Sequence, residues 1–350
     1  MQPQTLGQLL ETSAPERRFS SGISKLDAAL PGKNGFRTGI YDISGTVGYV
    51  GLGAYEILFN VVLGVLASKG RVLCVQTTNK FPWLKLQKNR RFRPEYGDQI
   101  DCIDVGNLVD VIVLFKSKRF FDPYSMIILD SFPGMYAESI RNMKALIGPS
   151  ANGDYSEPVI KFYQSARKLF HLMQQVCTNS QHGTMIFTVG PMDIFNQKVL
   201  IHAVEDSDYD STDSDPPDMD AAPKRPAYIN QQIFVPTISL KSDLNSYYNG
   251  RIIVYRDWVL ENANNELVSG LDNKNQSVFE NSLALMASGK MKCLPHFLCV
   301  TSSPSHLRDP AKLTGFFLVD NNFQVIDIAH TAVNVDADGN FDLEIPDSQE

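Results

Sequence analysis

The sequence of 350 residues is long enough for one large domain or two small ones, and its apolar content of 43% is ample for a buried core. No N-terminal stretch is typical of a signal peptide and no apolar run is long enough to span a bilayer, so we expect neither secretion nor membrane insertion. The net charge of −7 argues against a nucleic-acid binder, but segment 205–220 holds eight acidic residues and no basic one. Because the remaining sequence is close to neutral, that objection applies to the acidic segment alone.

The cysteines are scattered along the chain, and most of them lie inside apolar runs. None belongs to a C-x-x-C pair, and the six histidines do not cluster, so no metal site is predicted. Such cysteines are typical of reduced core residues in an intracellular protein. They are Cys74, Cys102, Cys177, Cys293 and Cys299.

The first predicted elements follow the order helix, strand, glycine-rich loop, helix. Residues 24–30 fit a short amphipathic helix that Ser24 can cap. The run IYDIS then predicts a strand, GTVGYVGLG a loop, and AYEILFNVVLGVLASKG a helix ended by Gly70. Farther on, strands are predicted at 71–77, 101–105 and 124–131, with helices from Pro82 and over 107–118.

The second half of the chain continues the alternation of helices and strands. Segment 157–176 has apolar residues at helical spacing, which predicts an amphipathic helix of about five turns. The run GTMIFTVG predicts a buried strand, and YYNGR suits the turn of a hairpin. A helix over 277–287, a strand FLCVT and two strands around the turn 320–322 follow. The pattern indicates an α/β fold, with a mostly parallel sheet covered by helices on both faces and a C-terminal β element.

The glycine-rich loop has the length of a phosphate-binding loop but not its charge. Such a loop has the spacing G-x-x-x-x-G-K-[ST], in which the lysine reaches the phosphates and the hydroxyl holds magnesium. Here Gly45 and Gly48 are glycines of the loop, whereas Val50, Gly51 and Leu52 occupy the Gly, Lys and Ser/Thr places. The alternative is a flexible glycine turn that binds no ligand.

The run SSGISKLDAALPGKNGFRTGIYDISG resembles the segment that leads into the phosphate loop of RecA-family recombinases. Within that family, the leader and the run RIIVYRDWV are similar to fungal recombinase paralogues that act as recombination mediators. The resemblance covers about residues 18–260 and implies a leader (1–18), a RecA-like core (19–260, with acidic segment 205–220 inserted) and a C-terminal β extension (261–350). The matching residues are Ser21, Gly22, Leu26, Asp27, Leu30, Gly39, Ile40, Ile43 and Gly45.

The resemblance implies that the ATPase chemistry has been lost. Asp130 matches the strand-end aspartate that polarises magnesium-bound water, but Thr78 takes the place of the catalytic glutamate, and Val189 and Gly190 take the place of an Asn-Gln pair. We therefore expect no catalytic residue, no enzyme activity and no required cofactor, with binding of ATP and magnesium as the alternative. A degenerate nucleotide site would comprise Gly45, Gly48, Gly51, Leu52 and Asp130. Asp130 could instead cap backbone N–H groups.

The function that the resemblance implies is recombination mediation in DNA repair, in the nucleus. The expected partners are another recombinase paralogue in a heterodimer, the recombinase filament and single-stranded DNA. One alternative is an ATP-dependent recombinase or damage-sensor ATPase completed by a neighbouring protomer. The other is a purely structural RecA-like scaffold.

Three segments outside the phosphate loop are candidates for binding. A basic segment interleaved with Trp83 and Phe92 suits single-stranded DNA or is a solvated helix face. The acidic segment disfavours phosphate contact and is either a solvated linker or a target of phosphorylation at Ser207, Thr212 and Ser214. The apolar leader residues either reach a partner or pack on their own core. The basic residues are Lys85, Lys88, Arg90, Arg91 and Arg93; the leader residues are Leu6, Leu9, Leu10 and Phe19.

Overall fold

The computed structural model describes residues 17–31, 33–45, 53–78, 80–147, 157–179, 183–201, 227–238, 243–261, 267–269, 291–301, 311–328, 334–335 and 341–342. The helices are α1 (Ser24–Ala29), α2 (Ala54–Ala67), α3 (Trp83–Lys88), α4 (Leu108–Lys116), α5 (Phe132–Ile147) and α6 (Glu157–Asn179). Short 3₁₀ helices lie at Pro94–Gln99, Lys118–Phe121 and Asp243–Tyr247.

The strands are β1 (Gly39–Gly45), β2 (Arg71–Gln76), β3 (Ile100–Asp104), β4 (Tyr124–Asp130), β5 (Met185–Ile201), β6 (Ala227–Pro236) and β7 (Gly250–Glu261). They continue with β8 (Leu267–Ser269), β9 (Met291–Thr301), β10 (Ala311–Phe316), β11 (Leu318–Val319), β12 (Val325–Ile326), β13 (Asn334–Val335) and β14 (Phe341–Asp342).

One mixed sheet forms the centre of the fold. Its strand order is β3-β2-β4-β5-β1-β7-β9-β10, and the strands from β3 to β7 in that order run parallel. At the other side, β9 is antiparallel to β7, and β10 is antiparallel to β9. β6 pairs antiparallel with β5, and β8 with β7. The predicted α/β class with a mostly parallel sheet is confirmed.

Helices cover both faces of this sheet, as predicted. Successive side chains of a strand point to opposite faces, and β2 shows the alternation clearly. Val72 and Cys74 pack in one core cluster with α1, α2 and α3, whereas Leu73 and Val75 pack in a second cluster with α4, α5 and α6. Continuous apolar strands are therefore explained by burial on both faces.

A buried polar network joins the central strands. The guanidinium of Arg251 on β7 donates to Asp42 Oδ2 on β1 from Nε at 3.1 Å and from Nη2 at 2.9 Å, and both side chains are inaccessible to solvent. Thr188 on β5 lies 2.7 Å from Asp42 Oδ1. Nη2 of Arg251 also donates to the Ile238 carbonyl at 2.7 Å. The charges are thus paired within one hydrogen-bonded cluster that spans β5, β1 and β7.

The predicted hairpin at YYNGR is wrong. The preceding segment forms the 3₁₀ helix Asp243–Tyr247, and β7 runs parallel to β1 in the sheet interior. The turn is held by Asn249, whose backbone N–H donates to the Ile40 carbonyl at 2.7 Å and whose Oδ1 accepts from the Ile40 N–H at 2.9 Å. Burial of the apolar strand between β1 and β9 determines its pairing, and the local turn signal does not.

Two strands extend beyond their predicted bounds. β5 continues from the predicted run GTMIFTVG to Ile201, because residues 192–201 pair with β6 along its whole length. The acidic segment 205–220 therefore falls between β5 and β6, outside the described residues. β9 likewise begins before FLCVT and pairs with β7 along eleven residues.

The C-terminal β element is partly a continuation of the core sheet. β9 and β10 belong to that sheet, whereas β11 and β12 form a small antiparallel hairpin. Its turn is the predicted one, since Asp320 Oδ1 accepts from the N–H groups of Asn322 and Gln324, each at 2.8 Å. The predicted helix 277–287 lies outside the described residues. In the described part of the chain, no helix is long and apolar enough to cross a membrane.

Candidate functional site

The residues predicted for the degenerate nucleotide site meet where four parallel strands end. Gly45 ends β1, Asp130 ends β4, and Thr78 and Gly190 lie at the same edge on the chain leaving β2 and on β5. Gly190 pairs with Ser44, and the Thr77 N–H donates to the Asp130 carbonyl at 2.5 Å. Ligands of open α/β sheets bind at this carboxyl edge, so the strands place these positions together as expected.

Asp130 is completely buried and is bound by a tyrosine of its own chain. The hydroxyl of Tyr55, in the first turn of α2, lies 3.0 Å from Asp130 Oδ1 and 2.9 Å from Oδ2. Burial raises the pKa of the Asp130 carboxyl to about 7, although the hydrogen bond from Tyr55 favours the ionised form. Among the described residues the partner of its side chain is this hydroxyl, and no described backbone N–H donates to the carboxylate.

Aromatic rings pack around the side chain of Tyr55. The ring centroid of Tyr55 lies 5.9 Å from that of Phe81 and 6.3 Å from that of Phe59, and Phe81 packs on Trp83 at 4.2 Å. These contacts fix the tyrosine over the strand-end carboxylate. Tyr55 and the rings that pack on it therefore occupy one side of Asp130.

The N-terminus of α2, which in a working phosphate loop faces the phosphates, is capped by its own glutamate. Oε2 of Glu56 accepts from the Gly53 N–H at 2.9 Å. This bond is the half of a capping box in which the side chain of the third helical residue accepts from the N-cap N–H. The N-cap residue is a glycine in the left-handed conformation (φ 103°). Glu56 is completely buried, and burial raises the pKa of its carboxyl. A carboxylate at this place repels a phosphate and occupies an N–H group that would bind it.

A C-terminal aromatic residue covers the same helix end. A Cβ atom on Gly53 would lie 2.3 Å from Cζ of Phe317, which is itself completely buried between β10 and β11. A second neighbour is Val254 of β7, at 3.3 Å from that position. At this end of α2, the described groups do not fit a bound phosphate. Gly48, Gly51 and Leu52 lie outside the described residues.

Thr77, Ser131 and α5 complete the edge. Thr77 Oγ1 accepts from the Ser131 N–H at 2.8 Å, and Ser131 is buried. A Cβ atom on Gly134 of α5 would lie 2.9 Å from Ser131 Oγ and 3.5 Å from Thr78 Oγ1. Gly190 is similarly close to Pro133. Thr78 and Gly190, the positions predicted to match a glutamate and an Asn-Gln pair, thus lie next to the start of α5. The described part of the chain holds no cluster of side chains able to bind a metal.

The basic segment runs along the outer side of α2 and is anchored by the C-terminal hairpin. Asn89 is buried and donates from Nδ2 to the Phe323 carbonyl at 3.2 Å, and Lys85 Nζ lies 5.0 Å from the centre of the Phe323 ring. The Asn322 amide, oriented with its oxygen toward Arg90, accepts from Nη2 at 3.1 Å. The structure therefore presents a basic surface on the side of the sheet that α1, α2 and α3 cover. Lys88, Arg90, Arg91 and Arg93 are exposed on it, and Lys85 is half-buried.

The aromatic side chains of the basic segment are only partly exposed. Trp83 is half-buried and packs on Phe81, and Phe92 is half-buried with its ring edge-on to Tyr96 at 5.9 Å. Both rings pack against the core, so each leaves only part of its surface for stacking on bases. The exposed apolar residue of the segment is Leu84, at 75% exposure.

Phe19 packs on its own chain. It is 9% exposed, pairs with Phe36 through two backbone hydrogen bonds, and contacts Gly64 of α2. For this residue the structure favours the alternative in which the leader packs on the core. The hypothesis of a partner interface now depends on Leu6, Leu9 and Leu10, which lie outside the described residues.

Sequence reasoning missed Tyr55, Glu56 and Phe317. A glycine followed by glutamate three residues later is readable as a capping box, so Glu56 had a local signal. Tyr55 contacts a residue 75 positions later, and Phe317 comes from the C-terminal part, so neither has a local signal. No protein-family model matches the chain, and a search of the curated proteins gave no significant match.

Proposed function

We propose that this chain is a recombination mediator, a RecA-like paralogue that has kept the fold and lost the ATPase. It would pair with another recombinase paralogue and stabilise recombinase filaments on single-stranded DNA in the nucleus. The single observation that carries the proposal is the edge of β1, β4 and β5, where side chains of the chain itself occupy the places that phosphate and magnesium need.

The RecA-like part of the proposal is supported by the motif that leads into β1. Asp27 accepts from the Ser21 N–H at 2.8 Å, and Gly22 adopts φ 86°, so the S-G and L-D pairs of the pattern fix one turn beside α2. The strand with the terminal aspartate, the following strand and the strand of the glycine loop are neighbours, in the order β4-β5-β1. This is the adjacency that the pattern requires for a common site.

The loss of ATPase is supported by charge. A triphosphate needs cations and N–H donors, and the described end of α2 offers it the buried carboxyl of Glu56 and the ring of Phe317. Magnesium needs a free carboxylate at the end of β4, and Asp130 is bound by Tyr55. A protein of this design uses its surfaces as interfaces, since apolar burial and backbone pairing do not require phosphate chemistry.

Interaction with single-stranded DNA is supported by the exposed basic surface at Lys88, Arg90, Arg91 and Arg93. Arg93 has an acidic neighbour in Glu95 at 3.9 Å, but both side chains are more than 60% exposed, so that pair is weak. The acidic segment 205–220 follows β5 in sequence, and its charge disfavours phosphate contact.

The test is affinity purification of the tagged full-length chain from cells with damaged DNA, followed by mass spectrometry. A second paralogue and the recombinase should co-purify. Leu9→Ser combined with Leu10→Ser, or deletion of residues 1–18, should remove the paralogue and leave a folded chain by circular dichroism. The matched control is Val109→Ser with Val113→Ser on α4, which are 65% and 56% exposed.

Each outcome decides part of the proposal. Unchanged co-purification of the leader variants, with an intact circular dichroism spectrum, would place the interface elsewhere on the chain. Absence of the recombinase from the wild-type preparation, together with a different stable complex, would favour a structural scaffold. Tight ATP binding by the purified heterodimer would favour an ATPase whose site a neighbouring protomer completes.

A further inference from the structure

A cleft of about 410 Å³ lies between the segment that precedes α1 and the outer side of α2. Arg18 and Ser20 line one side of the cleft. Its floor is formed by Asn60 and Ala67 of α2 and by Ser68, which follows the helix, and Arg91 of the basic segment closes it. Its volume is in the range of about 300–1,000 Å³ that is typical of small-ligand sites. It lies on the face of the fold opposite α4, α5 and α6, away from the carboxyl edge of Asp130.

The charged side chains among the described residues that line the cleft are two arginines. Arg18 and Arg91 come from parts of the chain more than seventy residues apart, and no Asp or Glu is found among the described residues that line it. The described hydrogen bond of Arg91 goes to Asn60 Oδ1 at 3.4 Å, which is longer than a charge-assisted bond to a carboxylate and leaves the positive charge without a counter-ion at that atom. A phosphate group would supply that counter-ion.

The geometry of the cleft is fixed by buried groups. Asn60 is 4% exposed, and its Nδ2 donates to the Ser21 carbonyl at 3.0 Å, so its Oδ1 is held toward Arg91. Gly22 comes so close to Asn60 that a Cβ atom there would lie 2.3 Å from Nδ2. Gly64 and Ala67 lie one and two turns farther along the same side of α2, where the Phe19 ring packs beside Gly64 and the small side chain of Ala67 is exposed.

We propose that this cleft binds a phosphate group of single-stranded DNA. The inference rests on the proposed function and deepens it, because it names the place where the strand is held. Arg91 belongs both to the cleft and to the basic surface with Lys88, Arg90 and Arg93, so a strand that follows this surface brings a phosphate to Arg91. Its guanidinium provides planar, forked donors that match phosphate oxygens.

The test changes the charge of the cleft without removing an arginine. Ala67→Glu introduces a carboxylate at an exposed position of the floor, and Ala67→Gln is the matched control of the same size without the charge. Binding of the full-length chain to a fluorescent oligo(dT) is measured by anisotropy over a range of salt concentrations. Ala67→Glu should weaken binding at least about threefold and reduce the slope of log K against log[salt] by about 0.7, the value for one lost phosphate contact on a single strand. Ala67→Gln should match the wild type.

The second variant is Arg91→Ala, which should reduce the salt slope in the same way. Circular dichroism and thermal unfolding identify any variant that fails to fold. Competition with pyrophosphate distinguishes the source of the phosphate. If Ala67→Glu weakens pyrophosphate binding and leaves oligo(dT) binding unchanged, the cleft serves a free phosphate compound and the assignment to DNA is overturned.

The remaining outcomes separate this inference from the proposed function. If Lys88→Glu with Arg90→Glu weakens oligo(dT) binding and Ala67→Glu does not, the strand avoids the cleft and the inference is wrong, while mediation stands. If the wild type binds no oligo(dT) but co-purifies with the recombinase, the inference about the cleft is wrong and mediation again stands. If the cleft variants weaken DNA binding and no recombinase co-purifies, the inference stands and mediation fails.

Discussion

The buried carboxyl of Asp130 couples the free energy of unfolding to pH. Burial raises its pKa from the usual 3.8 to about 7, so between these values the folded state holds a proton that the unfolded state has lost. The stabilisation is fully present below about pH 4 and is lost as the pH rises through about 7. About three pH units at 1.36 kcal/mol per unit give an upper limit of about 4 kcal/mol for this loss.

Asp130→Asn removes the titration and keeps the shape of the side chain. Urea unfolding of the wild type and the variant at several values between pH 4.5 and pH 8 gives both stabilities, provided that the slope against urea is unchanged. In the difference between the two free energies of unfolding, the contributions of all other titrating groups cancel. The variant should gain about 2–4 kcal/mol relative to the wild type over this range.

Tyr55→Phe is the informative control. The Tyr55 hydroxyl donates to the ionised carboxylate, so its removal should raise the pKa of Asp130 further. The stability of Tyr55→Phe should therefore continue to fall above pH 7, where the wild type has levelled off. Parallel pH profiles of the wild type and Asp130→Asn would refute the reasoning, since Asp130 would then titrate alike in the folded and unfolded chains.

Three further predictions concern catalysis, the core and the acidic segment. Purified protein should hydrolyse ATP no faster than Asp130→Asn in a phosphate-release assay, and a clear turnover that this variant loses would overturn the inactive site. Arg251→Met should destabilise the fold by about 3–5 kcal/mol in urea, because it leaves buried Asp42 without its counter-ion; addition of Asp42→Asn should recover part of that loss. Deletion of residues 205–220 should leave the circular dichroism spectrum unchanged and DNA affinity level or higher, whereas a fall with the fold intact would show that the acidic segment is a binding element.

The parts of the fold that follow from local patterns could be predicted from the sequence. Continuous apolar strands of four to eight residues between amphipathic helices led to the parallel sheet with two covered faces, and the strand–loop–helix order placed β1 and α2 correctly. The hairpin at YYNGR was wrong because its turn signal is local, whereas the pairing of β7 depends on β1 and β9. Similarly, the sequence left open whether Phe19 reaches a partner or packs on its own core, and only its packing against Gly64 on α2 favours the core.

The candidate site was predictable only as a set of positions. The sequence identified Gly45 and Asp130 and the missing lysine, because motif spacing carries that information. The contacts of Asp130 and of the N-terminus of α2 could not be found in this way. Tyr55 meets Asp130 across 75 residues, and Phe317 reaches Gly53 from the C-terminal part of the chain, so both pairings become visible only when the sheet order is known.

Under the proposed function, these contacts take over the stabilising role of a bound nucleotide. A helix N-terminus and a strand-end carboxylate both carry charge that an active ATPase neutralises with phosphate and magnesium. Here Glu56 satisfies the helix end and the Tyr55 hydroxyl satisfies Asp130, so each group finds its partner inside the chain. Restoring lysine and threonine at Gly51 and Leu52 would therefore be insufficient for nucleotide binding. The phosphate would still meet the carboxyl of Glu56 and the ring of Phe317, and the metal would still compete with Tyr55 for Asp130.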